Sequence, residues 1–571
     1  MTPVPAACRA KKLAIHIGAD APRRVGAMLQ RQNLSHLTAS QRDFPAGSIG
    51  CLGDVVLPAQ GNIRFFTGLP IHGADVENIV DADSAERLFP SYDGAFTGVL
   101  WDAQRNTLVI VTDCLGMQPL YMRHANGELT LATETKAMGG DPDPAAWGAF
   151  ISIGHPIGER SLLNGVRRVP PASVLTYDCT DHRLTIRRHW QWPDPSDTWR
   201  SHDFLASLER DLHAYAAFGH AGTVLLSGGF DSRLLLFLLQ RARIPVDALI
   251  VAHEDEYDDA DGRLAEAVAG MVGVPFRKVQ PPPDFFSSRA YLDYLNASDA
   301  AFPSLDLFIS KVASQIGSDA VWDGLAPGFL FMPLHQPEGG FRAYLQQEIR
   351  GTDSAIWRAA RELFRPGIAE TMLEGFSQDM RAEMGRLPQD AYGLARFVIE
   401  NRSRNRPAMN PLKVFANRAD AFTPGLSRDF LAHALVIPFQ EKQHAGFYRR
   451  LFANLDKRAL TVPFLSGGEL LQVTSASVVY QRERILIEWL RFRAQHPGWF
   501  GHRRNFQARH SAFLGEHLFE GGDAWLAPHA HDKLKSLDGS NYLMWKLLFH
   551  WKAWQWVHEG RPEMLRGTRQ C

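Results

Sequence analysis

The sequence has few of the features that mark secreted, membrane-spanning or strongly charged proteins. Its 571 residues include only five cysteines, which lie far apart and form no Cys-x-x-Cys pair. Such usage is typical of a reducing compartment and predicts a cytoplasmic protein without a disulfide framework. The chain has no run of 18 apolar residues, so we expect no membrane partner. A formal net charge of −1 gives no general attraction to nucleic acid, and we expect no nucleic-acid partner.

The length exceeds what one hydrophobic core supports and predicts more than one domain. Two apolar runs around a polar turn, within Val99–Thr112, indicate a β-hairpin, and a second hairpin is indicated over Leu120–Ala132 by its Asn-Gly turn. The composition becomes polar and rich in proline at Pro193–Thr198, which predicts a linker. We therefore expect a β-rich domain over residues 1–195 and a second domain over residues 200–571.

The pattern changes after the linker. A buried-strand run at Thr223–Leu226 meets a Gly-Gly turn, and the apolar run Leu234–Leu239 follows. A second strand is predicted at Val246–Ala252 and a helix at Arg263–Val272. Strand, turn, helix, strand and helix in this order predict a parallel α/β sheet. From about residue 340 the chain is mostly helical, and the aromatic-rich segment 541–557 predicts a buried C-terminal helix.

The turn between the first strand and helix of this sheet is the strongest chemical signal, and it reads Ser227-Gly228-Gly229-Phe230-Asp231-Ser232. Glycine lets the backbone approach a ligand closely, and the free N–H groups of a helix N-terminus attract an anion. The ionised side chain of Asp231 only accepts hydrogen bonds, so beside phosphate it implies an intervening Mg²⁺. No Gly-Lys-Ser/Thr follows, which excludes a Walker P-loop.

This string resembles the pyrophosphate loop of ATP pyrophosphatases of the asparagine-synthetase type. Four segments resemble parts of that family's N-terminal glutaminase-type domain, namely Tyr92–Asp102, Asp113–Tyr121, Leu131–Lys136 and Val169–Pro171. Residues 258–269 resemble the helix after the second strand of its synthetase domain. The resemblance implies an α/β protein, with a β-rich degenerate N-terminal-nucleophile domain before a parallel-sheet ATP-pyrophosphatase domain that carries a large helical C-terminal part.

The resemblance also implies a site for ATP and Mg²⁺. The implied nucleotide-binding residues are Ser227, Gly228, Gly229, Asp231, Ser232, Val251, Asp323 and Gly324, with Asp231 as the metal ligand. Gly328 falls where the family carries an acidic residue, and Asp323 is the nearby carboxylate that can replace it.

The family uses a late lysine to stabilise charge on the adenylate. Lys457 and Lys442 are the candidates here, and Glu441 is the candidate general base. For each of the three, a solvated surface charge is the alternative interpretation.

The chain departs from the family at its N-terminus, where Thr2 replaces the nucleophilic cysteine. A hydroxyl without activation is a far weaker nucleophile than a thiolate, so we expect a structural first domain without glutaminase activity. We then expect the amine to come with the substrate, with free ammonia as the alternative. This departure resembles β-lactam synthetases, carbapenam synthetases and lasso-peptide cyclases, in which an amine of the substrate attacks its own activated carboxylate.

The loop continues as Ser232-Arg233, a pattern more typical of lasso-peptide cyclases. We therefore expect isopeptide formation in a precursor peptide, with a leader-peptide protease and a leader-binding protein as further partners. Arg402, Arg404 and Arg406 are candidates for holding an acidic substrate, or else lie on a solvated helix face. The alternatives are a ligase of the β-lactam or asparagine synthetase type that acts on a small amino acid, and a catalytically dead scaffold.

Overall fold

The structure is a computed structural model that describes residues 3–32, 36–194, 201–220, 222–251, 260–279, 285–301, 312–313, 315–330, 354–437, 446–466, 469–471, 523–530 and 542–559. The predicted linker lies mostly in the gap between residues 194 and 201, so the domain limits stay a prediction. Thr2, Glu441 and Lys442 also lie outside the described residues.

A large, mainly antiparallel sheet forms the first third of the described chain. Its strands are β1 (Arg9–Ile17), β2 (Ala39–Phe44), β3 (Gly47–Gly53), β4 (Ile63–Ile71), β5 (Asp93–Asp102), β6 (Thr107–Thr112), β7 (Tyr121–Ala125), β8 (Glu128–Ala132), β9 (Arg167–Arg168), β10 (Ser173–Asp178) and β11 (Arg183–Arg188). They follow the order β11-β10-β6-β5-β4-β1-β8-β7-β9, and β3 pairs with β1 and β2. Helices α1 (Ala21–Gln32), α2 (Ala82–Leu88) and α3 (Pro144–Ile153) accompany this sheet.

Both predicted hairpins are confirmed. Strands β5 and β6 pair antiparallel, and so do β7 and β8. The turn between β7 and β8 places Asn126 at φ 54° and Gly127 at φ 73°. Two successive residues with positive φ match the right-handed twist of a two-residue hairpin, and asparagine and glycine adopt that conformation at the lowest cost.

A second sheet is entirely parallel, as the strand and helix order predicts. Its strands are β12 (Gly222–Leu225), β13 (Val246–Val251), β14 (Phe276–Val279), β15 (Ala320–Trp322) and β16 (Asp420–Phe422), in the order β14-β13-β12-β15-β16. The chain order therefore reverses between β12 and β15. Ligands of open α/β sheets bind outside the carboxyl ends of the strands at such a reversal, which is where residues 226–232 and 323–328 follow their strands.

Further helices lie in the second part of the chain. They are α4 (Ser201–Ala216), α5 (Phe230–Arg241), α6 (Ala260–Val272), α7 (Arg289–Ala297), α8 (Leu325–Leu330), α9 (Ala355–Leu363), α10 (Ile368–Arg386), α11 (Ala391–Phe397), α12 (Arg428–Ala434), α13 (Gly446–Leu455) and α14 (Tyr542–His558). A short antiparallel pair, β17 (Phe464–Ser466) and β18 (Glu469–Leu471), follows α13. The predicted fold class, a β-rich domain before a parallel α/β sheet with a helical C-terminal part, is confirmed.

The aromatic C-terminal helix α14 is buried, as its composition predicts. Trp551 and Trp554 of α14 contact Trp147 of α3 with ring centroids 5.0 and 5.5 Å apart. The helix therefore packs against the N-terminal part of the protein rather than facing solvent. Among the residues that the structure describes, no helix is both long and apolar enough to cross a membrane.

A buried ionic cluster joins the antiparallel sheet to the helical part. Asp299 is 1% exposed and accepts hydrogen bonds from the backbone N–H and the hydroxyl of Thr135, at 2.8 and 3.0 Å. Lys136 and Lys413 form ion pairs with the same carboxylate. The neighbouring lysines hold the pKa of Asp299 far below its usual range despite burial. The carboxylate is therefore ionised, and it fixes residues from both parts of the chain.

Candidate nucleotide site

The loop of residues 227–232 connects β12 to α5 and is braced by its own serines. The backbone N–H of Ser227 donates to the Ser232 hydroxyl at 3.0 Å, and the two hydroxyl oxygens lie 2.9 Å apart. The N–H of Gly229 donates to the Ser227 hydroxyl at 3.2 Å. Gly229 is the N-cap of α5, and because glycine has no capping side chain it supplies no cap. The first N–H groups of α5 are therefore left without a cap from Gly229 at the carboxyl end of the sheet, where an anion is favoured.

Gly228 is needed for packing as well as for access. A Cβ at this position lies 2.8 Å from Leu264 Cδ1 of α6 and 3.0 Å from Asp261 Oδ1, which is too close. The N–H of Gly228 donates to that Asp261 oxygen at 2.5 Å. A carboxylate thus already occupies one anion-binding position of the loop, which is direct evidence that this N–H points toward negative charge.

Asp231 lies in the first turn of α5 and is held by a neighbour from α13. The hydroxyl of Tyr448 donates a hydrogen bond to Asp231 Oδ1. Burial raises the pKa of Asp231 to about 6, although the hydrogen bond from Tyr448 opposes the shift. The carboxylate is therefore costly to ionise in the absence of a cation, as expected for a group placed to receive one.

The residues after β15 meet Asp231 from the other side of the chain reversal. Burial raises the pKa of Asp323 to about 6, and the charge of Asp231 adds to the shift. A Cβ on Gly324 lies 3.3 Å from the Asp231 carbonyl carbon, and a Cβ on Gly328 lies 3.4 Å from Asp231 Oδ2. Gly328 therefore leaves open the space beside the second carboxylate oxygen of Asp231, at the position where the sequence resemblance predicts an acid.

Two carboxylates with raised pKa values in one place fit a hard divalent cation. Mg²⁺ prefers carboxylate oxygens and usually retains water or phosphate oxygens as its other ligands. A cation between Asp231 and Asp323 removes the repulsion that raises the pKa of Asp323. Within the described ranges, no group of three or more histidine, cysteine, aspartate or glutamate side chains is arranged to hold a metal by itself. The donor set therefore fits a metal that binds together with phosphate.

The other described residues predicted for the site are Val251 and Lys457. Val251 ends β13 and its side chain is buried in an apolar cluster at 4% exposure, so only its backbone faces the carboxyl end of the sheet. Lys457 is exposed and begins the 3₁₀ turn Lys457–Leu460, with Asp456 as its N-cap. The structure brings together the loop, Asp323 and Gly324, whereas the function of Lys457 stays a prediction.

Sequence reasoning did not assign Arg233, Tyr448 or Asp261 to this site. Arg233 is 0% exposed and donates to the carbonyl oxygens of Ala459 and Val462 at 3.0 and 2.7 Å. Its partners follow more than 200 positions later in the chain. The only sequence signal was the presence of Arg233 directly after the loop, which predicted a subfamily and not a contact.

The expectation that Arg404 holds a substrate is wrong. Arg404 is 3% exposed and donates to the carbonyl oxygens of Gly116 and Val169, both at 3.1 Å. Arg404 therefore points into the junction with the first sheet. Arg402 and Arg406 are only partly buried, and the charge of Arg402 acts on Arg406.

Comparisons with known proteins agree with these features. A family model described as a glutamine amidotransferase domain matches residues 74–190. The chain is 27% identical over 274 residues to the carboxyethyl-arginine beta-lactam-synthase of Streptomyces clavuligerus, covering 43% of this chain and 51% of that protein. It is 26% identical over 151 residues to asparagine synthetase [glutamine-hydrolyzing] 3 of Bacillus subtilis (strain 168), covering 24% of each. The chain thus spans about half the length of the first relative and a quarter of the second.

Two solved structures are more distant. The allosteric regulatory enzyme of purine biosynthesis matches at 12% identity with a TM-score of 0.22, covering 47% of this chain and 64% of that one. The glutamine phosphoribosylpyrophosphate amidotransferase of B. subtilis matches at 12% identity with a TM-score of 0.23, covering 56% and 77%. The family match and the two sequence relatives together support an asparagine-synthetase-like family for this chain.

Proposed function

We propose that this chain is an ATP-dependent, AMP-forming ligase that makes an amide bond inside one substrate. The observation that carries the proposal is that Asp231 of the phosphate loop, after β12, lies close to Asp323 and Gly324, which follow β15. The two sequence relatives are named as a beta-lactam-synthase and an asparagine synthetase, both amide-forming enzymes, which supports a ligase over a scaffold. Two carboxylates kept at a cost in stability also argue against a dead site.

The residues of the loop suggest how the substrate carboxylate is activated in the first step. The N–H groups at the start of α5 receive the ATP phosphates, together with the N–H of Gly228 once the Asp261 carboxylate has moved away. Asp231 and Asp323 would hold Mg²⁺, which would supply charge stabilisation for the departing pyrophosphate. The substrate carboxylate oxygen attacks the α-phosphorus, the α–β phosphoanhydride breaks, and an acyl-adenylate and pyrophosphate result. The amine then attacks the acyl carbon, giving the amide, AMP and a proton.

The first domain supports an amine from the substrate rather than from glutamine. Burial raises the pKa of the thiols of Cys51 and Cys179 to about 12, and burial also raises the pKa of Cys8 and Cys114. The thiolate is the nucleophilic form, so none of these four described cysteines is activated for attack on glutamine. An internal amine removes the need for ammonia and makes the second step intramolecular.

For the substrate we propose a precursor peptide whose N-terminal amine attacks an activated Asp or Glu side chain to close an isopeptide ring. Arg402 and Arg406 support an acidic substrate. Burial and the charge of Arg402 both lower the pKa of Arg406, and within the described residues the Arg406 side chain has no hydrogen bond or ion pair. A carboxylate beside Arg406 offsets this repulsion, and a guanidinium binds a carboxylate in a bidentate manner. A leader-peptide protease and a leader-binding protein are the partners that this substrate requires.

A β-lactam from a small amino acid is the second candidate. It is favoured by the likeness to carboxyethyl-arginine beta-lactam-synthase, which covers 43% of this chain. The chemistry at the loop is the same, and only the distance between amine and carboxylate in the substrate differs.

Mass spectrometry separates these candidates. The chain is incubated with ATP, Mg²⁺ and a candidate precursor peptide, together with the leader-removing protease, and Asp231→Ala serves as the control. Loss of one water from the peptide with an equal amount of AMP supports cyclisation. Formation of ADP contradicts adenylation. Turnover of a small β-amino acid with AMP release, without any change in the peptide, replaces the peptide substrate by the second candidate.

A further inference from the structure

Residues 446–464 form a wall that packs directly on the phosphate loop. The ring of Phe230, the fourth residue of the loop, stacks between two rings of this wall. Its centroid lies 4.7 Å from that of Tyr448 at an interplanar angle of 22°, and 4.2 Å from that of Phe464 at 16°. Aromatic contacts of this kind fix the distance and tilt between two elements.

Arg233 ties the loop to this wall through backbone atoms. Its guanidinium donates to the carbonyl oxygens of Val462 and Pro463, both at 2.7 Å, and to Gly228 of the loop at 3.3 Å. The same group lies 3.7 Å from the ring centroid of Phe464. A planar fork of five donors reaches several carbonyl oxygens at once, which the single ammonium group of lysine does not.

Tyr448 meets the metal ligand of the proposed site. It is 3% exposed, and its hydroxyl donates to Asp231 Oδ1. The other oxygen, Oδ2, lies beside the space that Gly328 leaves open. A hydrogen bond from a phenol to a carboxylate is charge-assisted and directional, so it sets which oxygen of Asp231 is presented to that space.

We propose that Arg233 and Tyr448 are positioning residues for the nucleotide site: Arg233 docks residues 459–464 on the phosphate loop, and the docked wall lets Tyr448 orient the Asp231 carboxylate toward Mg²⁺. This inference rests on the proposed use of ATP at the loop. In this inference Tyr448 orients the Asp231 carboxylate, which Gly328 does not do because glycine supplies no side chain beside Asp231. Partners that orient a metal ligand typically change metal affinity about 10- to 100-fold when removed.

The experiment measures binding of a fluorescent, non-hydrolysable ATP analogue as a function of Mg²⁺ concentration. Tyr448→Phe keeps the ring that stacks on Phe230 and removes only the hydroxyl. We expect the Mg²⁺ concentration for half-maximal nucleotide binding to rise about tenfold or more. Arg233→Lys keeps the positive charge and removes the planar guanidinium group. We expect this variant to bind the nucleotide more weakly at every Mg²⁺ concentration.

Matched control variants separate positioning from a loss of stability. Tyr177→Phe removes a buried hydroxyl that donates to the Gly127 carbonyl at 2.6 Å, in the first sheet. Arg168→Lys removes the guanidinium group of a residue that is 1% exposed. This group donates to the carbonyl oxygens of Gly116 and Met117 at 2.9 Å. Both controls should lower the melting temperature and leave the Mg²⁺ dependence of nucleotide binding unchanged.

The outcomes distinguish this inference from the proposed function. If the wild-type chain binds no ATP analogue, the proposed function fails. If the wild-type chain binds and Tyr448→Phe shows the wild-type Mg²⁺ dependence, the inference is overturned while the ATP site stands. If Arg168→Lys weakens nucleotide binding as much as Arg233→Lys, the effect of Arg233 is one of general stability.

Discussion

Asp323→Asn should stabilise the nucleotide-free protein, because the wild-type carboxylate is buried beside another carboxylate. Burial raises the pKa of Asp323 from 3.8 to about 6, a change of about two pKa units that corresponds to about 3 kcal/mol. A raised pKa means that the folded protein holds the proton more tightly than the unfolded chain. Its stability therefore falls as the pH rises from about 4 to about 6 and stays lower above that range.

Asparagine has the shape of the protonated acid and retains an oxygen for the hydrogen bond from the Leu325 N–H. The variant should exceed the wild type by up to about 3 kcal/mol in unfolding free energy at pH 8, and by almost nothing near pH 4. Urea unfolding over this pH range measures the difference. Asp319→Asn, an exposed position four residues earlier, is the control and should change stability little at any pH.

Magnesium with a non-hydrolysable ATP analogue should reverse the order. A ligand that binds only the folded state stabilises it in proportion to its affinity, and the wild-type carboxylate contributes to that affinity. The reasoning is refuted if Asp323→Asn has the pH dependence of the wild type, or if it gains no stability at pH 8 over Asp319→Asn.

Three further predictions concern the loop, the first domain and the ionic cluster. Asp231→Ala should lower turnover by orders of magnitude with the fold intact, since charge stabilisation by the metal is lost; turnover assays with circular dichroism test this, and near-normal turnover contradicts it. Purified protein should release no ammonia from glutamine, and Thr2→Ala should leave product formation unchanged; glutamine-dependent product formation contradicts a structural first domain. Asp299→Ala should destabilise the protein by about 3–5 kcal/mol, because Lys413 loses its buried counter-charge and Lys136 keeps only Glu134; a thermal midpoint equal to the wild type contradicts the assigned role.

Local patterns were sufficient to predict the secondary structure around the loop. The apolar run before Ser227 and the glycine pair after it predict a strand and a helix start, and β12 and α5 lie there. Asn126-Gly127 predicts a tight hairpin because both residues tolerate positive φ, and both have it. In these cases the physical cause acts within a few residues, so it is visible in the sequence.

The side chains that surround the loop were not predictable in the same way. Tyr448 and Arg233 contact partners more than 200 residues distant in the chain. Their roles depend on how α13 and the following turn pack on α5, which no local pattern records. Arg404 shows that a local pattern can also mislead. Its spacing from Arg402 and Arg406 suggested one charged face, but Arg404 is buried against the carbonyl oxygens of Gly116 and Val169.

The loop 227–232 as an ATP site is the central claim, and calorimetric titration with a non-hydrolysable ATP analogue and Mg²⁺ tests it most directly. The wild-type chain should bind one equivalent of the nucleotide in a Mg²⁺-dependent manner. Asp231→Ala, with an unchanged circular dichroism spectrum, should bind at least about tenfold more weakly, since the loss of a metal-site group commonly has effects of this size. Absence of binding to the wild type, or equal affinity in the folded Asp231→Ala variant, would contradict the assignment of the loop.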